Sequence, residues 1–345
     1  MIQLGVDAWN LPGDRRGIGR YLREILRVWH ERARDRVEVT LIVPEWHTWT
    51  VQGRYLREVE PVRYNIVSRT WHRPAELDAL WFPFNGCSWT DFNLPAVATL
   101  HDASNFVLPD YAPETQKIFR AAAERCRALI TDSRFAQGEL ARELAIPPER
   151  LVPIELGVNP PRPSRFIQLD IAALQPFVLY VGTPERRKGF DTLLEAMRLL
   201  HDDYPELALV VTSWIDDDQF DVPENIRIEE LGYVDDDTLA ALYRGCTLLA
   251  FPSRHEGFGL PVLEAMSYGA PVVASNAASV PEAGGDAAAY VPPDDAKALA
   301  TAMARVLVDR TYAQDLRRRG PQHASGFSWE RTALRTLDVI EATLR

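Results

Sequence analysis

What most constrains the fold is an alternation, run twice, of short apolar segments with longer amphipathic ones. In the first half the apolar segments are Ile2–Asp7, Val37–Val43, Asp78–Phe82, Val97–His101, Ala128–Asp132 and Leu151–Ile154. Helical candidates lie between them, among them Gly19–Ala33, Pro113–Cys126 and Arg134–Leu144. Parallel strands need crossover connections, so this alternation predicts a parallel sheet with helices on both faces. Asn159-Pro160-Pro161-Arg162-Pro163-Ser164 then breaks the pattern, because proline lacks the N–H that a helix interior or central strand requires. The alternation restarts with Phe177–Val181, Leu207–Thr212, Ile226–Leu231, Thr247–Phe251, Pro271–Ser275 and Ala289–Val291. The reading is of two doubly wound α/β domains, residues 1–160 and 175–330, with a linker running to about Leu174. Ligands of such sheets bind at the carboxyl ends of the strands, so two domains facing each other would enclose a cleft suited to two substrates.

Bulk properties narrow the function classes. At 345 residues and 46% apolar content the chain can fill two cores. A net charge of -11 speaks against nucleic acid as a partner, since phosphate binding calls for a basic surface. Cys87, Cys126 and Cys246 are odd in number and widely spaced, which suits buried thiols better than a disulfide framework or a metal cluster. Met1-Ile2-Gln3-Leu4-Gly5-Val6-Asp7 lacks the charged-then-apolar pattern of a signal peptide, and no apolar run approaches the roughly 20 residues of a spanning helix. A cytoplasmic protein is expected, at most peripheral at the inner face of the membrane.

The most informative segment is Phe251-Pro252-Ser253-Arg254-His255-Glu256-Gly257-Phe258-Gly259-Leu260-Pro261-Val262-Leu263-Glu264-Ala265-Met266. It reads as strand, glycine-bearing loop and helix, with Pro261 at the first helical position and Gly269 closing the helix. Free N–H groups and the helix dipole at such a start attract an anion such as a diphosphate, and Gly257 and Gly259 let the backbone approach a ligand. Glu256 and Glu264 flank this seat, and carboxylates accept hydrogen bonds from sugar and ribose hydroxyls. The plainer alternative has Glu256 capping the turn and Glu264 offsetting the dipole. A second loop, Pro184-Glu185-Arg186-Arg187-Lys188-Gly189, follows the strand that ends at Gly182-Thr183. Its cations can neutralise a leaving diphosphate, or form a solvated basic turn.

Two glutamates separated by seven residues inside Glu-Gly-Phe-Gly-Leu-Pro-Val-Leu-Glu-Ala-Met resemble the signature of glycosyltransferase family 4. The resemblance implies the GT-B fold, two facing Rossmann-like domains with an inter-domain cleft, and a last helix, about 331–345, packed back on the first domain. It implies that Glu256 contacts the transferred sugar and Glu264 the ribose. Main-chain groups of Gly257, Phe258, Gly259 and Leu260 would hold sugar hydroxyls, and those around Leu260–Leu263 the phosphates. Arg187 and Lys188 match the family's Arg-Lys pair. Where many members carry Arg directly after the first glycine, this chain has Thr183 after Gly182, so the Arg role moves to Arg187. The base would pack near Tyr233 and Val234, with Tyr233 either stacking on it or serving as core. Ser275–Glu282 also matches.

On the acceptor side, Gly17-Ile18-Gly19-Arg20-Tyr21 resembles a loop of a family 4 subgroup that lies across from the donor phosphates. It is not a dinucleotide fingerprint, because the third glycine of that pattern is missing. His101 ends a strand where the family places a histidine beside the sugar, and Asp102 is read as an acceptor-hydroxyl partner. Arg15, Arg16, Arg20, Arg23 and Arg27 near Tyr21, Leu22, Ile25, Leu26 and Trp29 leave two readings: a basic amphipathic surface for anionic lipid, to which Arg69-Thr70-Trp71-His72-Arg73 would add, or a core-facing helix with a solvated basic face. Asp216–Asp218 and Asp235–Asp237 resemble a metal motif but read as a solvated loop and a helix cap, so no metal is expected.

The expected activity is retaining transfer of a hexose, mannose first, from a nucleotide-sugar donor to a glycan or lipid-linked glycan, without a cofactor. GDP-mannose ranks ahead of a UDP-hexose as the donor. A sugar-nucleotide epimerase of the same fold and a non-catalytic sugar-nucleotide-binding module are the alternatives.

Overall fold

Ala79–Phe82, Ala96–Thr99, Phe177–Tyr180 and Leu248–Phe251 are buried along their whole length. They lack the in–out alternation of a sheet with one wet face, and strands of this kind belong in parallel sheets covered on both sides. The computed structural model describes residues 1–11, 17–44, 65–69, 77–109, 113–163, 167–216 and 218–345. These fall into two units, Met1–Gly157 with Ser328–Arg345, and Val158–Phe327.

The first unit runs β1 (Ile2–Asp7), α1 (Gly17–Arg32), β2 (Val37–Val43), β3 (Asn65–Ser68), β4 (Ala79–Phe82), β5 (Ala96–Thr99), α2 (Ser104–Val107), α3 (Gln116–Arg125), β6 (Ala128–Thr131), α4 (Arg134–Leu144) and β7 (Leu151–Pro153). Its sheet is wholly parallel in the order β3-β2-β1-β4-β5-β6-β7. β3 has no counterpart in the strands read from sequence, and most of the stretch before it lies outside the described residues. Ser133 explains why α4 starts where it does: its Oγ accepts the Ala136 N–H at 3.0 Å. The apolar side of α1, with Tyr21, Leu22, Ile25, Leu26, Val28 and Trp29, is buried in this unit. On its polar side Arg27 pairs with Glu24 and Glu31 at 2.9 and 3.0 Å. The helix is therefore core-facing, and its apolar face is not available to lipid. Arg15, Arg16 and Thr70–Arg73 lie outside the described residues. Among the described residues, no helix is long and apolar enough to cross a membrane.

The second unit runs α5 (Ile171–Leu174), β8 (Phe177–Tyr180), α6 (Phe190–His201), β9 (Ala208–Val211), β10 (Ile228–Glu230), α7 (Asp236–Gly245), β11 (Leu248–Phe251), α8 (Leu260–Ser267), β12 (Val272–Ser275), α9 (Val280–Gly284), β13 (Ala289–Val291), α10 (Ala296–Val308) and α11 (Arg310–Ala324). Its parallel sheet has the order β10-β9-β8-β11-β12-β13. Numbered within the unit this is 3-2-1-4-5-6, the doubly wound order whose ligand crevice lies between its first and fourth strands. The proline-rich segment expected to link the domains belongs structurally to this unit. Arg162 donates its N–H to the Tyr268 hydroxyl at 3.1 Å, and its guanidinium pairs with Asp236 at 2.7 Å.

α12 (Trp329–Ala342) closes the first unit from the far end of the sequence. Trp29 Nε1 donates to the Ala333 carbonyl at 2.8 Å, Arg36 pairs with Asp338 and Glu341 at 2.7 and 2.8 Å, and the Trp329 ring meets Tyr21 edge-on. The three cysteines are buried and free. Cys87 and Cys126 bring their sulfurs to 3.5 Å, a closeness that their sequence spacing does not reveal.

Candidate active site

Reversal of strand order in the second unit falls between β8 and β11. The loops that leave these two strands are the basic loop and the two-glutamate loop, and they are stitched together. The backbone N–H of Arg254 donates to the Arg187 carbonyl at 2.9 Å. Gly189, at φ +67°, lies so close under β11's end that a Cβ there would come within 2.1 Å of the Pro252 carbonyl oxygen. Gly182, at φ +125°, leaves room for the Lys188 ammonium: a Cβ would sit 3.0 Å from Nζ. Thr183 turns its carbonyl to the Tyr180 hydroxyl at 3.2 Å.

Arg187 and Glu256 face each other with Nη1 and Oε1 3.8 Å apart, and their side chains keep 14% and 16% of their exposure. Each is held in place. Arg187 donates from Nε and Nη2 to Glu185 Oε2 at 3.3 and 3.1 Å, and from Nη1 to the His255 carbonyl at 2.9 Å. Glu256 accepts the Ser253 hydroxyl at Oε1 at 3.1 Å, and its carbonyl accepts the Ser279 hydroxyl at 2.7 Å. Ser275 in turn donates its hydroxyl to the Ser253 carbonyl. A carboxylate and a guanidinium that are braced and still accessible can bind a hydroxyl and a phosphate without first reorganising.

Gly259 adopts φ +111° and caps α8, which places Leu260 first in the helix and Pro261 second, one position later than expected. Proline fits there because the N–H it lacks has no partner inside the helix. Phe258 is 3% exposed, with its ring 6.1 Å from that of Phe327, so its side chain is core. Glu264 lies one turn into the helix and accepts the Tyr243 hydroxyl at 2.9 Å. Tyr233 is 55% exposed, which removes the core reading for it, and Val234 beside it is half-buried. The exposed indole of Trp214 rests on Gly232, at the carboxyl edge of the same sheet. Asp235 caps α7, accepting the Thr238 N–H at 2.7 Å, while Asp236 and Asp237 face Arg162. Ser253, Glu185 and Tyr243 escaped sequence reasoning, since a serine, a loop acid and a helix aromatic carry no spacing signal of their own.

Candidates in the first unit are placed differently. Gly17 is exposed, Ile18 and Arg20 are half-buried and Gly19 is buried. Tyr21 is core, not loop: it is 1% exposed, its hydroxyl lies 3.2 Å from Thr99 Oγ1, and its ring stands edge-on to His101 at 4.9 Å. His101 is 6% exposed, and both ring nitrogens are taken, Nδ1 by Asp132 Oδ2 at 2.8 Å and Nε2 by the Pro83 carbonyl at 2.9 Å. A carbonyl only accepts, so Nε2 donates to Pro83, and opposite an ionised Asp132 carboxylate Nδ1 donates as well, the arrangement of an imidazolium. Burial opposes that charge, but the Asp132 charge and hydrogen bond, with the Pro83 carbonyl, outweigh it and raise the His101 pKa. Neither nitrogen is open to a sugar in this arrangement. The expectation of such a contact missed Asp132, which ends the neighbouring strand and claims the ring. Asp102 Oδ1 accepts the Ser104 N–H at 2.9 Å and so helps to start α2.

Comparison with known proteins meets the second unit first. The family model described as "Glycosyl transferases group 1" matches residues 175–309. O-antigen chain mannosyltransferase B of Escherichia coli is 34% identical over 266 residues, covering 71% of this chain and 70% of that protein. Serotype-specific mannosyltransferase WbdA of Escherichia coli is 30% identical over 237 residues, 62% of this chain but 28% of the larger protein. Among solved structures, sucrose-phosphate synthase from Thermosynechococcus elongatus superposes with a TM-score of 0.72 at 20% identity, covering 99% of both chains. Anabaena HepE in complex with UDP-glucose gives 0.73 at 17% identity, covering 99% of this chain and all of that one. These likenesses agree with two parallel-sheet α/β units of the GT-B class. With a mannosyltransferase relative this similar over most of both chains, and a family match seated on the unit that carries both loops, the chain belongs to the group 1 glycosyl transferases.

Proposed function

We propose that the protein transfers a hexose, mannose first, from a nucleotide-sugar donor to a glycan or lipid-linked glycan, with retention at the anomeric carbon and without a metal ion. The observation that carries this reading is the braced Arg187–Glu256 pair at the switch point, directly before the start of α8. The mannosyltransferase relatives support mannose as the sugar, and the fold likeness to a protein solved with UDP-glucose supports a nucleotide-sugar donor.

In the proposed reaction the bond between the sugar C1 and the diphosphate oxygen breaks, and its electron pair leaves with the phosphate. Arg187, Lys188 and the start of α8 offset the charge that accumulates there. The acceptor oxygen bonds to C1 from the face the phosphate leaves, and its proton passes to the departing phosphate oxygen, so no strong protein base is needed. Glu256 orients the sugar hydroxyls, Glu264 the ribose, and Tyr233 with Val234 the base. Gly257, Phe258, Gly259 and Leu260 contribute their main chain.

The test is nucleotide release from GDP-mannose and from UDP-glucose, with and without a mannan acceptor, in excess chelator. Acceptor-dependent release of GDP and a product with the donor's anomeric configuration are expected. An inverted linkage would overturn retention, loss of activity in chelator would overturn metal independence, and release without acceptor would favour the epimerase.

A further inference from the structure

We infer that Tyr243 is a positioning residue for the donor site: it fixes the direction of the Glu264 carboxylate and so sets how strongly the protein distinguishes a ribose that carries hydroxyls from one that lacks them. The inference rests on the reading of Glu264 as the ribose partner.

Tyr243 lies on the buried face of α7 with Ala240 and Leu242 and is 1% exposed. A buried phenol needs an acceptor for its proton, and here the acceptor is Glu264 Oε2 at 2.9 Å. The Tyr243 ring also stacks on Tyr268, with centroids 5.7 Å apart and planes 14° from parallel. Glu264 and Tyr268 are one helical turn apart, joined by the bond from the Tyr268 N–H to the Glu264 carbonyl at 3.3 Å. One side chain therefore grips both ends of the last turn of α8, by a hydrogen bond at one end and a ring face at the other.

The grip is anchored in its turn. The Tyr268 hydroxyl accepts the Arg162 N–H at 3.1 Å, and the Arg244 guanidinium lies over the Tyr268 ring at 4.8 Å from its centroid. Tyr268 is thus bounded on several sides, and the Tyr243 ring stacked on it has a fixed place. A glutamate on a helix surface otherwise samples several rotamers, and freezing them on binding costs affinity. A hydrogen bond made in the free protein removes that cost beforehand and points the carboxylate at one place. Phenylalanine at 243 keeps the ring and its stacking and deletes only the hydroxyl, so the variant separates positioning from packing.

The experiment measures, for wild type, Glu264→Gln and Tyr243→Phe, the Kd of GDP and of UDP, each beside its 2′,3′-dideoxy counterpart, with thermal melts of all three proteins. For the tighter nucleotide the wild type should lose about 30-fold on removal of the hydroxyls, the scale of charge-assisted hydrogen bonds. Glu264→Gln should abolish most of that ratio. Tyr243→Phe should bind the hydroxylated nucleotide about 5- to 10-fold more weakly and the dideoxy nucleotide within about twofold of wild type, with KM raised and kcat little changed. Unaltered dideoxy binding also shows that the variant's site is folded. A wild-type ratio that disappears in Glu264→Gln but persists in Tyr243→Phe overturns the inference and leaves the ribose role of Glu264 standing. A ratio near one in the wild type overturns that role and the inference with it. Equal weakening of both nucleotides in Tyr243→Phe also overturns the inference, because a general packing defect acts on both alike.

Discussion

The two units expose their chemistry in opposite ways. At the switch point of the second, Arg187 and Glu256 are braced by serines, a glutamate and carbonyls, yet both keep part of their surface open. In the first, His101 is braced just as firmly, but the bracing consumes both ring nitrogens and the residue is shut in. Holding a side chain is thus not the same as presenting it. The second unit leaves part of the surface of its charged groups accessible, whereas the first builds a closed ion pair that ties β5 to the end of β6.

The sharpest way to break this contrast is to remove one group from each side. Glu256→Gln should lower transfer by about 10³-fold at a near-unchanged melting temperature, since the amide oxygen still accepts from Ser253. Nucleotide-release kinetics beside a thermal melt would show it, and a variant that unfolds while retaining its activity per folded molecule would erase the distinction. His101→Ala should do the reverse. It strands the Asp132 carboxylate in the core and should cost about 3–5 kcal/mol in urea unfolding. Full stability with lost activity would make His101 a substrate contact after all.

The glycines sharpen the same comparison. Gly189→Ala should cost about 2–3 kcal/mol, because φ is +67° and the new methyl meets the Pro252 carbonyl. At Gly17 a Cβ would meet nothing within 4 Å among the described residues, so Gly17→Ala should shift stability by less than about 0.5 kcal/mol. Any loss of activity in Gly17→Ala would then report on a ligand, not on the fold.

One further effect has the opposite sign. Burial pushes the Asp7 carboxyl up to about 6 despite a 2.5 Å hydrogen bond from Ser88. A pKa raised on folding means that the charged form destabilises the native state above pH 6, and that this penalty fades as pH falls from 6 towards 4. Asp7→Asn should therefore stabilise the protein by about 2 kcal/mol at pH 7.5, with the gain gone near pH 4. A gain that does not vary with pH would show that the carboxyl is not the cause.

These contrasts also explain what could be read in advance. The two switch-point loops were legible because their geometry demands residue types: Gly182, Gly189 and Gly259 hold positive φ, and Pro261 fits a helix start. Strands and helices with local causes were equally plain, such as α4 behind its Ser133 cap. Relations between distant residues were not. Asp132 lies 31 residues from His101 and Tyr243 lies 21 from Glu264, and in each case only the sheet or the helix pair brings them together. Tyr21 misled for the same reason, since its place in a glycine loop says nothing of the Thr99 hydroxyl beneath it. β3 passed unnoticed because four residues, Asn65-Ile66-Val67-Ser68, carry too little pattern to stand apart from a loop.

Trp29, Arg36 and Tyr21 all find partners in α12, some three hundred residues later. During translation the first unit must wait for these contacts, while every residue of the second has already left the ribosome. The order of birth and the order of completion are then reversed: the second unit can fold first, and the amino-terminal unit is sealed last. A chain truncated before residue 328 would carry a complete second unit and a first unit whose α1 still lacks its cover, and chaperone binding to such truncated chains should concentrate on Tyr21, Leu22 and Trp29.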